Sequence, residues 1–403
     1  MALDPEELKR RRAQRKLKRK RTGVVRLAIA AVAVVLLIVM IVVLASNRKR
    51  PDSDATTAPV DTTVIHMAAA GDLNVTEKVV AAGGENYDYT GMMLDVAHLL
   101  ADADITALNF EGNFYGAPYG TDRSAPQALA DALARAGVDV LQLANTYSIY
   151  KGTAGLSSSI NAVKLAGMEP LGVYATAKEA KEAKGYTIKT VQGIKIAFVG
   201  FTKGMDGMAL PPGNEGCVNV LYTDYATDYQ QVDTEGITKV LRAAAKERPD
   251  LTVAMVHWGS DFNDNISKSQ TAISQLMLAE GVDVILGTHP HYLQKMEFDP
   301  AAGTFVAYSL GDFVGDASRA GSEYSLILNL EITRNNETGQ TKVSGFDYTP
   351  IYICNEADKP IKVLRIQETM TAFEEGYLDS ISQSTYDAMK YALTRVEARV
   401  AGE

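Results

Sequence analysis

Residues 251–291 read LTVAMVHWGSDFNDNISKSQTAISQLMLAEGVDVILGTHPH. Two apolar, β-branched runs, LTVAMV and VDVIL, flank a segment near Lys268 to Glu280 whose spacing predicts a helix. Strand, helix and strand in that order form a βαβ unit, which sets the two strands parallel with their carboxyl ends on one edge of a sheet. Both runs end in histidine: His257 after the first, His289 and His291 after the second.

The same alternation continues toward the N-terminus. VIHMAAA (64–70), ITALNF (105–110) and VDVLQLAN (138–145) read as strands; GMMLDVAHLLADA (91–103), APQALADALARAG (125–137) and residues near Ile160 to Ala166 read as helices. YTIKTVQGIKIAFVGF (186–201) predicts a hairpin turning at Gln192-Gly193, followed by a helix near Thr234 to Lys246. Past His291 the pattern becomes antiparallel strands, in HYLQKMEFDPAAGTFVAYSLGDF (291–313), EYSLILNLEIT (323–333) and TGQTKVSGFDY (338–348). Apolar residues at helical spacing (Tyr386, Met389, Tyr391, Ala392, Val396) predict a closing helix over 382–400. The expectation is an α/β domain over residues 64–350 with a C-terminal extension over 351–403.

The N-terminus is different in kind. Leu27 to Ser46 is a run without a charge, long enough to span a bilayer core of roughly 30 Å as a helix. Eleven of residues 1–26 are Lys or Arg, against Arg48, Lys49 and Arg50 after the run. The positive-inside rule predicts a cytoplasmic basic tail (1–26), an uncleaved single-pass membrane anchor (27–46), a polar linker (47–63) and an extracytoplasmic domain. The whole chain of 403 residues carries 40 basic and 49 acidic residues, and the basic ones crowd the N-terminus. The remainder is strongly acidic, which excludes a nucleic-acid partner. Two cysteines, Cys217 and Cys354, exclude a disulfide framework or Cys-rich zinc site, although an oxidising compartment would let the two pair.

Polar residues stand where the apolar runs end: Asp72, Glu111, Asn145, His257, His289 and His291. Ligands bind at the carboxyl ends of strands in open α/β sheets. A lone Asp there commonly caps a turn and a lone buried His is commonly a hydrogen-bonded core residue, but unrelated caps have no reason to recur after so many strands. Two imidazoles at i and i+2 in His289-Pro290-His291 point to one side if the segment is extended. Carboxylates, an amide and three histidines suit one or two divalent metals, Mn, Fe or Zn rather than Ca or Mg.

AAAGDLN, DADITALNFEG, VLQLAN, IAFVGFT, VAMVHWGSDF, GVDVILGTHPHYLQKMEF and VAYSLGDF occur in the order found in the CapA family of poly-γ-glutamate capsule-synthesis proteins, which the chain resembles over Val64 to Phe313. Members are similar in fold to calcineurin-like metallophosphoesterases, so the resemblance implies a four-layer α/β/β/α sandwich with Asp72, Glu111, His257, His289 and His291 as metal ligands. The sequence departs from the family's ANNH…DYG stretch, which reads Ala144-Asn145-Thr146-Tyr147-Ser148-Ile149-Tyr150-Lys151-Gly152. The usual His is Tyr147 and the usual Asp is Tyr150, and the amide ligand is either Asn145 or lost at Thr146. Asp261, in HWGSDF, and Asp312, in SLGDF, are further departures that offer compensating carboxylates.

The resemblance implies a role in synthesis, export or anchoring of an anionic surface polymer such as poly-γ-glutamate, with an amide ligase and membrane subunits as partners. The ligand-like residues point equally to a metal-dependent hydrolase of phosphoester or amide bonds. Loss of the His at Tyr147 points to a third reading, a pseudoenzyme that binds polymer or partner without turnover.

Overall fold

The computed structural model describes residues 60–377 and 381–402. The expected basic tail, the anchor at 27–46 and all of the linker up to residue 59 lie outside them. Among the described residues no helix is long and apolar enough to cross a membrane. The longest of them, Gln383–Val400, carries Asp387, Lys390, Arg395, Glu397 and Arg399 and buries only one stripe. The expected single-pass localisation is therefore corrected: no described helix spans a bilayer.

Fourteen strands are described. In chain order they are β1 (Thr62–Asn74), β2 (Ile105–Glu111), β3 (Val140–Gln142), β4 (Glu169–Leu171), β5 (Tyr186–Val191), β6 (Ile194–Thr202) and β7 (Leu251–His257). There follow β8 (Val284–Thr288), β9 (Met296–Asp299), β10 (Thr304–Ala307), β11 (Asp312–Val314), β12 (Tyr324–Asn335), β13 (Thr341–Cys354) and β14 (Lys362–Arg365). One sheet runs β14-β13-β12-β1-β2-β3-β4, with β11 also paired to β1; the other runs β5-β6-β7-β8-β10-β9.

Alternation along the strands decides the layers. Ile65, Met67, Ile105 and Val140 from the first sheet share a core with Ile196, Phe198, Val253 and Leu286 from the second, so the sheets pack face to face. The outer face of the first sheet, with Leu108, Phe110 and Leu141, is covered by the helices Gln127–Arg135 and Gly152–Leu165. Val199, Val256 and Ile285 on the outer face of the second are covered by Thr234–Ala245 and Lys268–Ala279. The order is helix, sheet, sheet, helix, as the sequence implied.

Local chemistry explains the connections. Gln192 and Gly193 both take positive φ, 47° and 83°, the twist a two-residue hairpin requires. Ser267 and Gln270 form a reciprocal capping box that starts the helix between β7 and β8. The closing helix Gln383–Val400 buries Met389, Ala392 and Val396 against the inter-sheet core, whereas Tyr391, expected on that stripe, is exposed. Burying the Met and Val side chains there is worth roughly 1.5–3 kcal/mol each. Strand β13 runs through residue 350, so the last strands continue the first sheet.

β1 lies between β2, parallel to it, and β12, antiparallel. A close approach lets β11 join its end: a Cβ on Gly71 would stand 1.8 Å from the carbonyl oxygen of Gly311. Only glycine fits there, and the contact sets Asp72 and Asp312 in register.

Candidate metal centre

The carboxyl ends of β1 and β2 in one sheet, and of β6, β7 and β8 in the other, meet at one edge of the sandwich. Register aligns these ends, pairing Asp72 with Asn109, Asn74 with Glu111, Thr202 with His257 and His257 with Thr288. Every residue of β2 and β7 is buried, so their terminal polar groups are desolvated and must find partners among themselves.

They do so across the sheets. Glu111 Oε1 lies 2.7 Å from His257 Nε2, and His257 Nδ1 lies 3.0 Å from the Thr202 hydroxyl. Asp72 accepts from the Asn109 amide at 2.5 Å and from the backbone N–H of His289 at 2.9 Å. His291 Nδ1 lies 2.8 Å from Asp312 Oδ1, which also accepts from the Asn74 amide at 2.8 Å. Asp261 is exposed and bridges two histidines, 3.4 Å from His289 Nδ1 and 3.9 Å from His291 Nε2. Lys203 donates to the Gly259 carbonyl at 2.8 Å and stands 3.4 Å from His289 Nε2.

Seven donors thus form one chain of three overlapping groups: Glu111, His257 and His289; Asp261, His289 and His291; Asp72, His291 and Asp312. The structure brings Asp72, Glu111, His257, His289 and His291 together, with Asp261 and Asp312 among them. Asn145, and Thr146 after it, stand beside these groups just past the end of β3. Asn145 is buried, donates to the Phe110 carbonyl at 2.6 Å and to Asn109 Oδ1 at 3.4 Å, and accepts from the Tyr147 N–H. It supports Asn109, which in turn supports Asp72.

The His289-Pro290-His291 segment is not extended. His289 and His291 both take left-handed φ, 91° and 57°, so the two rings converge through a turn and not through strand alternation. Residue types alone do not single out Asn74, Asn109, Thr202 or Lys203: the first three take their roles from strand register, which one chain in isolation does not display, and Lys203 from the segment that follows β6.

The electrostatics of the cluster follow from burial. Burial, then the neighbouring Glu111 and Asp312, push the Asp72 carboxyl up to about 7; the attraction of His291 and His257 only partly offsets this. Burial likewise raises Glu111 and Asp312 above the ordinary carboxylate range. Burial depresses His257 to about 3 and holds His289 well below its usual value, so both rings are neutral near pH 7. Burial opposes charge on His291 too, yet Asp312, by charge and hydrogen bond, with Glu111 and Asp72, holds it well above the ordinary value. Carboxylates resisting ionisation beside neutral imidazoles are donors that a cation would satisfy. Among the described residues the buried His289 Nδ1 has the Asp261 carboxylate 3.4 Å away but no hydrogen-bond partner, and the mixed N and O set fits a divalent ion.

The family model for the bacterial capsule synthesis protein PGA_cap matches residues 66–317, more than half the chain. The chain belongs to that family. The PGA_cap match runs from within β1 past β11 and so contains every donor named above. A relative named capsule biosynthesis protein CapA, from Bacillus anthracis, is 27% identical over 306 residues, covering 73% of this chain and 69% of its own length. The PGA biosynthesis protein CapA of Bacillus subtilis is also 27% identical, over 55% of this chain and 53% of its own. Among solved structures, the calcineurin-like phosphoesterase YfkN from Bacillus subtilis aligns at 15% identity and a TM-score of 0.44, covering 82% of this chain and 99% of that one. A phosphatase from Mycoplasma pneumoniae aligns at 12% identity and a TM-score of 0.43, over 72% and 95% of the two chains. Both scores are low, and the layer order rests on the core contacts.

The departures from the family stretch sit beside the cluster. Tyr147 is half-buried, with the Arg123 guanidinium 4.7 Å above its ring. Burial, followed by Glu111, pushes its hydroxyl up to about 12. Tyr150 is more exposed and packs edge-on against Tyr147. Cys217 and Cys354 are both buried and unpaired.

Proposed function

We propose that this protein takes part in making an anionic capsule polymer of the poly-γ-glutamate kind, and that it engages the polymer at a divalent metal centre of Asp72, Glu111, His257, His289 and His291, with Asp261 and Asp312. The observation that carries the reading is the meeting of seven donors, drawn from both sheets, at one buried edge. Family membership supplies the biological setting, and an amide ligase that lengthens the polymer is the expected partner.

When bound, the metal, Mn, Fe or Zn from the donor chemistry, supplies Lewis-acid polarisation of a carbonyl or phosphoryl oxygen. The chain's own residues do the rest. Asn109 and the His289 N–H fix both oxygens of Asp72, and Asn74 fixes one of Asp312, so the carboxylates are oriented before any ligand arrives. Asp261 is the exposed member and faces incoming substrate. Tyr147 keeps its proton at neutral pH and acts as a hydrogen-bond donor, a poor proton source for a leaving group. That favours binding or slow amide chemistry over phosphodiester turnover.

The test is metal analysis of the purified full chain, followed by incubation with poly-γ-glutamate and Mn or Zn. Expected are bound metal in the native protein, loss of it in His257→Ala, and metal-dependent retention or shortening of the polymer. A chain that takes up no divalent metal, or meets the polymer equally well in chelator, overturns the reading.

A further inference from the structure

Beside the metal centre lies a cavity of about 440 Å³ whose walls include Arg123, Tyr147, Tyr150, Glu77, Asp122 and Asp206. Arg123 reaches it from the end of the short 3₁₀ turn Thr121–Arg123. Asp122 and Arg123 both take left-handed φ, 51° and 56°, a conformation L-residues adopt only when their surroundings impose it. Here the Asn113 side chain donates to the Asp122 carbonyl at 2.8 Å, and the Asn113 N–H donates to the Arg123 carbonyl at 2.8 Å. Lys151 neutralises Asp122 at 2.6 Å.

The guanidinium is fixed twice more. Nη1 donates to the Val75 carbonyl at 3.3 Å, and the group stacks over Tyr147. No carboxylate among the described residues forms an ion pair with it, so most of its donors remain for a ligand. The Val75 N–H donates to the carbonyl of Glu111, one of the metal donors, at 3.0 Å, and the Tyr147 N–H donates to Asn145 Oδ1 at 3.0 Å, so the cavity adjoins the donor set. The Arg123 charge also eases ionisation of Glu111 and Tyr147.

Resting on the metal-centre reading above, we propose that this cavity is the anion subsite of that centre and that Arg123 holds a carboxylate of the substrate in a forked pair of hydrogen bonds. The lining selects a carboxylate over a phosphate. Glu77 and Asp206 add negative charge to the same walls, which repels the charge near −2 that phosphate concentrates on one group more than the −1 of a single carboxylate group, the second carboxylate of a diacid standing farther off. Arg123 is thus a specificity-determining residue, and Tyr147, where the family has His, is the platform that keeps its guanidinium flat.

Titration calorimetry of the full chain with glutarate, and separately with inorganic phosphate, reads the subsite in chelator without turnover. The expected result is glutarate binding that weakens about tenfold or more in Arg123→Gln and by a smaller factor in Arg123→Lys, which keeps the charge and loses the fork. Phosphate should bind more weakly than glutarate. Arg123→Lys serves if Arg123→Gln fails to fold. Unchanged glutarate affinity in both variants, absence of glutarate binding in the native chain, or phosphate binding that is tighter and lost with Arg123 would each overturn the proposal. Glutarate binding through Arg123 in a chain that never takes up metal would uphold this subsite while overturning the metal reading.

Discussion

Glu111 and His257 belong to different sheets and are 146 residues apart, yet their side chains meet at 2.7 Å with neither exposed to solvent. The pair ties the carboxyl end of β2 to that of β7. Replacing one partner leaves the other buried and unsatisfied, at a cost of about 1–3 kcal/mol. In Glu111→Ala, chemical denaturation should show a loss of that size, and metal affinity should fall by more than the ~10–100-fold typical of losing an outer partner. Unchanged metal affinity would remove Glu111 from the donor set.

Asn109 tests the supporting layer. Its amide holds Asp72 at 2.5 Å and is itself held by Asn145. Asn109→Ala keeps all seven donors but frees one Asp72 oxygen, so metal affinity should drop roughly 10–100-fold with the fold intact by circular dichroism. Affinity equal to that of the native protein would show that Asp72 is positioned by its backbone alone.

The pH dependence of the metal-free protein has a definite sign at Asp72. Its folded pKa, about 7, lies above the ordinary 3.8, so the folded state keeps a proton that the unfolded state has lost. The group's contribution is present below pH 3.8 and is lost as pH rises through 7. Native protein compared with Asp72→Asn should therefore lose relative stability from pH 5 to 8, by on the order of a few kcal/mol. With metal present the trend at this residue reverses, because binding displaces the proton and strengthens with pH. Parallel denaturation curves for the two proteins across this range would contradict the assignment.

Tyr147 gives the catalytic test. With its hydroxyl pushed up to about 12, it transfers a proton poorly near pH 7. The full chain with Mn or Zn should hydrolyse a generic phosphodiester slowly or not at all. Thr146→Asn with Tyr147→His should raise the rate, general acid catalysis being worth about 10²–10⁴-fold. Native activity already equal to that of the restored variant would refute the argument.

The sequence disclosed the residues whose position in a strand is itself the signal. Asp72, Glu111, His257 and the His289–His291 pair each end an apolar run, and apolar runs are visible in one dimension. Asn109 lies inside such a run and gains meaning only through its register with Asp72. Arg123 and Lys203 come from loops, where no periodicity guides a reader. The face-to-face sheets were implied by resemblance, whereas the turn at Pro290, which replaces strand alternation, depends on left-handed backbone that residue types alone do not declare. Asn145 is legible as the polar residue that ends a strand, but the donation of its NH2 group to Phe110 and Asn109 depends on the neighbouring strand and is not.

β1, the first strand described, has β12 as a neighbour, with pairing that runs from Thr62 with Asn335 to Ala69 with Leu328. During synthesis one edge of β1 therefore waits, unpaired, until most of the chain has left the ribosome. Closing so distant a contact is slow, and an open apolar edge invites association with other nascent chains. Asp312 reaches Asp72 only when β11 arrives, so the proposed donor set is complete only late in synthesis, and uptake of a divalent ion there would serve as a clock for that stage of assembly.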